Sequence, residues 1–359
     1  MTCSAPFSAP QEIVVVGQTF AASRTPQRVA AMRSLGHSVK TIPTMPPGMD
    51  YETPPSFMAR LRYRLRLPAD PAAANHAILS ISDQTDVLWL ETAGMIRPRT
   101  LRELKARRPD LSIVYYSEDD MMNPLNRTLS LQRAMPIIDL WATTKSLNIL
   151  PPEQNSLGFR NALFVNNSYD PEIHRPVKIG VEDTQAYGAP VSFIGTYEGP
   201  RARSIMQLAR SGMQVRVWGN GWDGMCGAHE NLIIEGRPAY NDEFAKVVAA
   251  SPINLCFLRY ANRDLQTCRS IELPACAGFM VHERNEEIRG LLRESQEAVY
   301  FSDDEELVNI CRSWLEADDK RTTVAENARR RVEDLGLTHK ANILRIFKAL
   351  DANRSSQTK

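Results

Sequence analysis

Pro190–Thr196 (PVSFIGT), Gln214–Gly221 (QVRVWGNG) and Thr267–Gly278 (TCRSIELPACAG) decide the fold. The first two read as short apolar strands, each ending in a glycine turn. A helix opening with Arg201 and Arg203 follows the first strand, and the third stretch reads as a helix that leads into apolar Phe279–Val281. Strand, glycine turn and helix in alternation is the pattern of a parallel α/β sheet. Glycine lets a backbone approach phosphate, helix N-termini and arginine favour its charge, and one glutamate can accept both hydroxyls of a ribose. Gly195, Thr196, Arg201, Arg269 and Glu272 together suit a nucleoside diphosphate.

The first half carries the same alternation. Glu12–Gly17 is a β-branched strand, a helix runs from Thr25 and Pro26 to Leu35 with Gly36 as its C-cap, and Ser38–Ile42 returns as a strand. This opening predicts a doubly wound sheet. Asp86–Leu90 and Leu111–Tyr116 are further buried strands, and Leu157–Val165 is another. Beyond Tyr116 stand Glu118, Asp119 and Asp120, where open α/β sheets place ligands. These carboxylates either cap a following helix, bind a metal, or act on an acceptor hydroxyl, with Asp119 or Asp120 as the base. The irregular Tyr169–Ala189 reads as a linker. The expected organisation is a Rossmann-like domain over 1–180, a second over 181–338, and a helix with a frayed polar tail over 339–359.

Hydrophobic residues make up 43% and charged residues 24% of the 359, an ordinary globular composition. The formal net charge of +1 gives no reason to propose a nucleic-acid partner. Residues 1–10 lack the basic and apolar regions of a signal peptide, and no run approaches the ~20 apolar residues of a spanning helix. A cytoplasmic location with reduced cysteines is therefore expected. Cys226 and His229 lack a second ligand pair, so no metal site is expected there. No GxGxxG follows the first strand, which disfavours a dinucleotide cofactor. Arg60–Leu67 (RLRYRLRL) is the sharpest charge feature. It reads as a solvated helix face, as a surface for anionic lipid or an acidic acceptor, or as an inter-domain contact; at most it implies peripheral membrane contact.

The succession of FIGT, an Arg-bearing helix, VRVWGNGW, TCRSIELPACAGF and EAVYF before an acidic helix spans roughly residues 190–320 and resembles the CgeB-type glycosyltransferases, a GT-B branch related to glycosyltransferase group 1. The likeness is looser in the N-terminal half. It implies two facing Rossmann-like domains with a central cleft, a nucleotide-sugar donor on the C-terminal domain, and the acceptor on the N-terminal one. It implies that Glu272 binds the donor ribose, that Arg269 faces the diphosphate, and that Gly195 and Thr196 form the loop beside the phosphates with Arg201 as its basic companion. Trp218, Gly219 and Asn220 would border the nucleobase, with Arg237 and Tyr240 lining the pocket and Thr267 opening the motif helix. The last helix would cross back to the first domain. The family carries two glutamates with seven residues between them; here the earlier position is Asp264.

The expected activity is transfer of a sugar from a nucleotide-diphosphate sugar, a UDP-sugar, to a hydroxyl acceptor. Arg269, Arg201 and backbone N–H groups near Gly195 would stabilise the leaving group in place of a divalent metal, and no cofactor beyond the donor is expected. A same-fold nucleotide-sugar epimerase and a non-catalytic nucleotide- or glycan-binding module in surface-structure assembly are the alternatives. Among single residues, Trp218 is either core or a stacking platform, and Arg269 either meets phosphate or pairs with Glu272. His282 and Glu283 lie on a strand end that could approach the donor.

Overall fold

The structure, a computed structural model, describes residues 9–20 and 22–357. Residues 1–8, most of the expected leader, lie outside it. The chain forms two compact units, one comprising 1–166 with 339–359 and the other 167–338.

In the first unit the strands are β1 (Glu12–Gly17), β2 (Ser38–Pro43), β3 (Val87–Glu91), β4 (Ser112–Ser117), β5 (Leu140–Thr143) and β6 (Ala162–Phe164). They pair in the order β2-β1-β3-β4-β5-β6, and every pairing is parallel. The connecting helices are α1 (Thr25–Ser34), α2 (Phe57–Arg64), α3 (Ala74–Leu79), α4 (Pro98–Arg107), α5 (Leu129–Ala134) and α6 (Pro151–Leu157). A parallel sheet covered on both faces needs continuous apolar strands, and β3 (VLWLE) and β4 (SIVYYS) are buried at every position.

The second unit contains α7 (Val181–Tyr187), β7 (Val191–Ile194), α8 (Gly199–Arg210), β8 (Val215–Trp218), β9 (Leu232–Ile234), α9 (Asp242–Ala250) and β10 (Ile253–Cys256). It continues through α10 (Arg269–Ala275), β11 (Met280–Glu283), α11 (Glu286–Leu291), β12 (Val299–Phe301), α12 (Asp304–Leu315) and α13 (Asp318–Asp334). Its sheet has the order β12-β11-β10-β7-β8-β9, again wholly parallel. In each sheet the order reverses once, between β1 and β3 in the first and between β7 and β10 in the second. Such reversals open crevices at the C-terminal strand ends, where doubly wound sheets bind ligands.

The last helix, α14 (His339–Gln357), packs into the first unit, where Ile343, Ile346, Phe347 and Leu350 share a core with Ile13, Val15, Val29 and Trp89. The expected frayed tail is instead helical to Gln357, because Arg354 donates to Asp110 O and Ser112 Oγ. The expected linker at Tyr169–Ala189 also needs correcting. Tyr169 is buried, bridges Thr338 and donates its N–H to Leu337 O, so this segment already belongs to the second unit. The chain changes units between Asn166 and Asn167 rather than near residue 180. The strand expected over Leu157–Val165 is only Ala162–Phe164, since α6 runs up to Leu157 and Gly158 ends it with φ +80°. Arg60–Leu67 begins in α2, in which no residue is buried. Among the described residues no helix is long and apolar enough to cross a membrane.

Candidate functional site

In the second unit the candidate residues gather at the end of β7. Gly195 donates its N–H to Trp218 O (2.8 Å), and Tyr197 donates to Asn220 O (2.9 Å), which zips the turn after β7 onto the turn after β8. Gly219 makes that approach possible: its φ is +151°, and a Cβ there would lie 2.0 Å from Gly195 O. Trp222 Nε1 donates to the same carbonyl (2.8 Å). The glycines therefore serve turn-on-turn packing, and the Gly195 amide is already committed. The Thr196 N–H, between the two paired amides, has no partner among the described residues.

Arg201, in the first turn of α8, is only 6% exposed. Its Nη1 donates to Thr196 O (3.1 Å), and the guanidinium lies 5.7 Å from the Phe193 ring centre. Its Nε–H is buried and has no hydrogen-bond partner among the described residues. Burial pulls the Arg201 guanidinium below its ordinary value, although the nearby carboxylate of Glu198 opposes this. A buried, under-satisfied cation at a strand end is a feature that folded chains rarely carry without a reason.

Arg269 and Glu272 make an ion pair across one turn of α10. Arg269 Nε also donates to Ile194 O (3.1 Å), and its guanidinium sits 4.6 Å from the Phe244 ring centre. The Glu272 side chain is 1% exposed, with His174 Nε2 3.6 Å from its other oxygen. The pairing read from the sequence as the alternative for Arg269 is thus the one observed. Arg269 retains a quarter of its side-chain surface in solvent, whereas Glu272 faces Arg269 and His174.

Trp218 is core: it is 1% exposed, with Arg237 4.9 Å and Arg216 5.3 Å from its ring centre. A stacking platform needs an open ring face, so that reading is corrected. Arg237 is exposed and holds Glu243 through two 2.7 Å hydrogen bonds. Tyr240 is half-buried and Asn220 intermediate, at the edge of the same turn. Thr267 Oγ1 lies 3.7 Å from Cys256 Sγ, and the Thr267 backbone N–H donates to Ser270 Oγ (2.9 Å). Ser270 Oγ in turn bonds His282 Nε2 (2.8 Å), and His282 Nδ1 bonds Glu283 O (2.6 Å). Burial lowers the His282 pKa to about 4, so the ring is neutral and structural. Glu283 accepts from Leu258 N (2.9 Å), and burial raises its carboxyl above the ordinary range. Asp264, in the earlier motif position, is buried and accepts from Asn262 Nδ2 (2.7 Å).

The first unit has its own site at its switch point, a cavity of about 340 Å³ lined in part by Gln18, Arg28, Tyr63, Glu91, Glu118 and Asp119. The sequence pointed to Asp119 but not to the charge cluster beneath it. Arg28 grips Glu91 through Nε (2.7 Å) and Nη2 (2.8 Å) and reaches Glu118 through Nη1 (2.9 Å). Thr25 Oγ1 and Trp89 Nε1 also donate to Glu91 (2.8 and 2.7 Å), and Arg28 stacks 4.6 Å over Tyr116. Burial pulls the Arg28 guanidinium down, but Glu91 and Glu118 outweigh it and raise it well above its ordinary value. The only signal in the sequence was a polar residue at an otherwise apolar strand end, which does not name a partner 63 residues away.

Asp119 is part of the cavity wall. Asp120 is not: it is 2% exposed and its carboxylate accepts from Met122 N (2.9 Å) and Asn148 Nδ2 (2.7 Å). No helix follows at once, so Asp120 fastens a loop rather than capping a helix or meeting an acceptor.

Residues 201–345, less than half of the chain, match the model of a family described as glycosyl transferase-like. No functionally curated protein matches the sequence. Among solved structures, a sucrose-phosphate synthase from Thermosynechococcus elongatus superposes with TM-score 0.64 at 12% identity, covering 95% of this chain and 99% of its own. Anabaena HepE, in complex with UDP and glucose, gives 0.60 at 13%, covering 96% and 100%. A Listeria monocytogenes protein provisionally assigned as a UDP-N-acetylglucosamine 2-epimerase gives 0.52 at 9%, covering 89% and 92%. Over 201–345 the chain is similar to the glycosyl transferase-like family, and its fold is that of the GT-B glycosyltransferases.

Proposed function

We propose that the protein is a GT-B glycosyltransferase that moves a sugar from a nucleotide-diphosphate sugar, a UDP-sugar, to an acceptor hydroxyl. The observation that carries this reading is Arg201: a nearly buried cation with an unused N–H, beside the open Thr196 amide at the switch point of the second unit. That is the chemistry that a leaving diphosphate needs, because preorganised donors in a dry site stabilise charge as it develops. The family match beginning at Arg201 and the fold support the same reading.

In this proposal the donor phosphates lie against Thr196 N–H, Arg201 and the exposed side of Arg269. Glu272 holds Arg269 aimed; a ribose contact by Glu272 requires that pair to open, since Arg269 and His174 occupy its two oxygens. Asp119, in the cavity of the first unit, takes the acceptor's proton, with Glu118 and Arg28 fixing its surroundings. The two arginines supply the positive charge, so activity is independent of a divalent metal. The finer assignment to the CgeB-type branch and a cytoplasmic location belong to the same proposal.

The burial of Glu272 favours a second reading, a non-catalytic nucleotide-binding module. Incubation of the full chain with a panel of UDP-sugars, with and without EDTA, separates the two. Slow, EDTA-insensitive release of UDP supports transfer. UDP binding without turnover supports the module, an altered sugar points to an epimerase, and loss on EDTA that magnesium restores overturns metal independence.

A further inference from the structure

Helix α2 has a surface that the sugar-transfer reading does not use. At ~100° per residue, Phe57, Leu61, Leu65 and Met58 fall within one sector of about 100°. Arg60 and Arg64 border that sector on one side and Arg62 on the other, with Ala59 and Tyr63 opposite it. All of these side chains are solvent-exposed, with Phe57 at 71% and Leu61 at 40%. The helix is fixed from behind: Tyr63 lines the first unit's cavity, and Arg66 donates to Arg127 O (2.8 Å) and Gln132 Oε1 (2.9 Å). The apolar stripe therefore points outward by construction.

Among the described residues, the guanidinium groups of Arg60, Arg62 and Arg64 have no ion-pair or hydrogen-bond partner. Residues 53–69 contain no aspartate or glutamate. Alongside lies a shallow depression of about 430 Å³ whose lining includes Leu67, Arg97, Arg99, Arg102 and Arg133. A neighbouring one shares Arg97 with it and is lined by Arg62, with Asp70 and His76 also in its wall. An apolar stripe bordered by unpaired arginines and continuous with a basic hollow is the pattern of a surface that lies in the headgroup layer of an anionic bilayer. A second copy of the chain fits poorly, because a two-fold contact through the stripe would bring the arginines of both copies together.

We infer that the first unit docks on an anionic lipid surface through α2, with Phe57, Met58, Leu61 and Leu65 entering the interface and the surrounding arginines meeting lipid phosphates. Tyr63 then holds the mouth of the adjacent cavity close to the headgroups. This inference does not depend on the transfer reaction.

Flotation of the full chain with vesicles of phosphatidylcholine alone, or with 30 mol% phosphatidylglycerol, tests it. Binding is expected to be at least tenfold stronger on the anionic vesicles and to fall at least tenfold as NaCl rises from 0.1 to 0.5 M. Each arginine near the surface is worth on the order of fivefold. The triple variant Arg60→Gln, Arg62→Gln, Arg64→Gln should therefore lose on the order of a hundredfold, and the double variant Phe57→Ser, Leu61→Ser at least tenfold. Because α2 buries none of its residues, circular dichroism and melting temperature should be unchanged in both. Equal binding to both vesicle types, no binding, or binding indifferent to both variants overturns the inference. So does a concentration-dependent dimer that Phe57→Ser, Leu61→Ser abolishes while vesicles go unbound.

Discussion

Replacing Arg201 by methionine separates stability from ligand binding in a way that few site residues allow. Methionine keeps much of the length and removes the charge and every N–H. The folded state loses the hydrogen bond from a charged donor to Thr196 O, about 1.5 kcal/mol, and the contact with the Phe193 face at 5.7 Å, about 0.5 kcal/mol. Against this, a buried Nε–H without a partner costs ~1–3 kcal/mol, and that cost disappears. The terms nearly cancel, so urea unfolding followed by tryptophan fluorescence should place Arg201→Met within about 1 kcal/mol of the parent. UDP binding by calorimetry should behave differently: a charge-assisted hydrogen bond to phosphate is worth ~1.5–3 kcal/mol, which predicts a loss of about ten- to hundredfold in affinity. Arg203→Met, on the exposed side of the same helix, is the control and should leave affinity unchanged. An Arg201→Met protein that binds UDP as the parent does, or that loses more than about 3 kcal/mol of stability, would show that this cation is there for the fold.

Gly219→Ala places a Cβ 2.0 Å from the Gly195 carbonyl, so the two turns must part; a loss of more than about 3 kcal/mol is expected by chemical unfolding. A parent-like midpoint would mean that the turns yield freely. Glu91→Gln leaves the buried Arg28 with half of its compensation and should cost ~3–5 kcal/mol, whereas Glu118→Gln, at the more exposed end, should cost much less. Similar losses in both would contradict the ranking by burial. His282 titrates near 4 when folded, below the ordinary imidazole, so the unfolded chain binds more protons between about pH 4 and 6.5. Its contribution is complete above pH 6.5 and is lost as pH falls toward 4, on the order of 3 kcal/mol. The stability of His282→Gln should fall less steeply across that window, and an unchanged slope would place the acid transition elsewhere.

Local chemistry made much of this protein legible in its sequence. Continuous apolar runs such as Val87–Leu90, short and bounded by turn residues, read as strands covered on both faces, and their alternation with helices implies parallel sheets. The glycines after β7 and β8 and the arginine opening α8 marked the site region, because such turns are local in sequence. The last helix, α14, was also legible from the sequence, although its last turns depended on Arg354 finding Ser112.

What only the tertiary structure decided is what each polar group meets. The strand orders put β1 beside β3 and β7 beside β10, and so brought Arg28 to Glu91 and Arg269 to the Ile194 carbonyl. Trp218 became core because Arg237 and Arg216 cover it, and Asp120 became a loop fastener because Asn148 reaches it. A sequence records which groups can donate, accept or carry charge. Whether a given carboxylate faces a ligand or an arginine depends on which residues, tens of positions away, the sheet order brings within 3 Å.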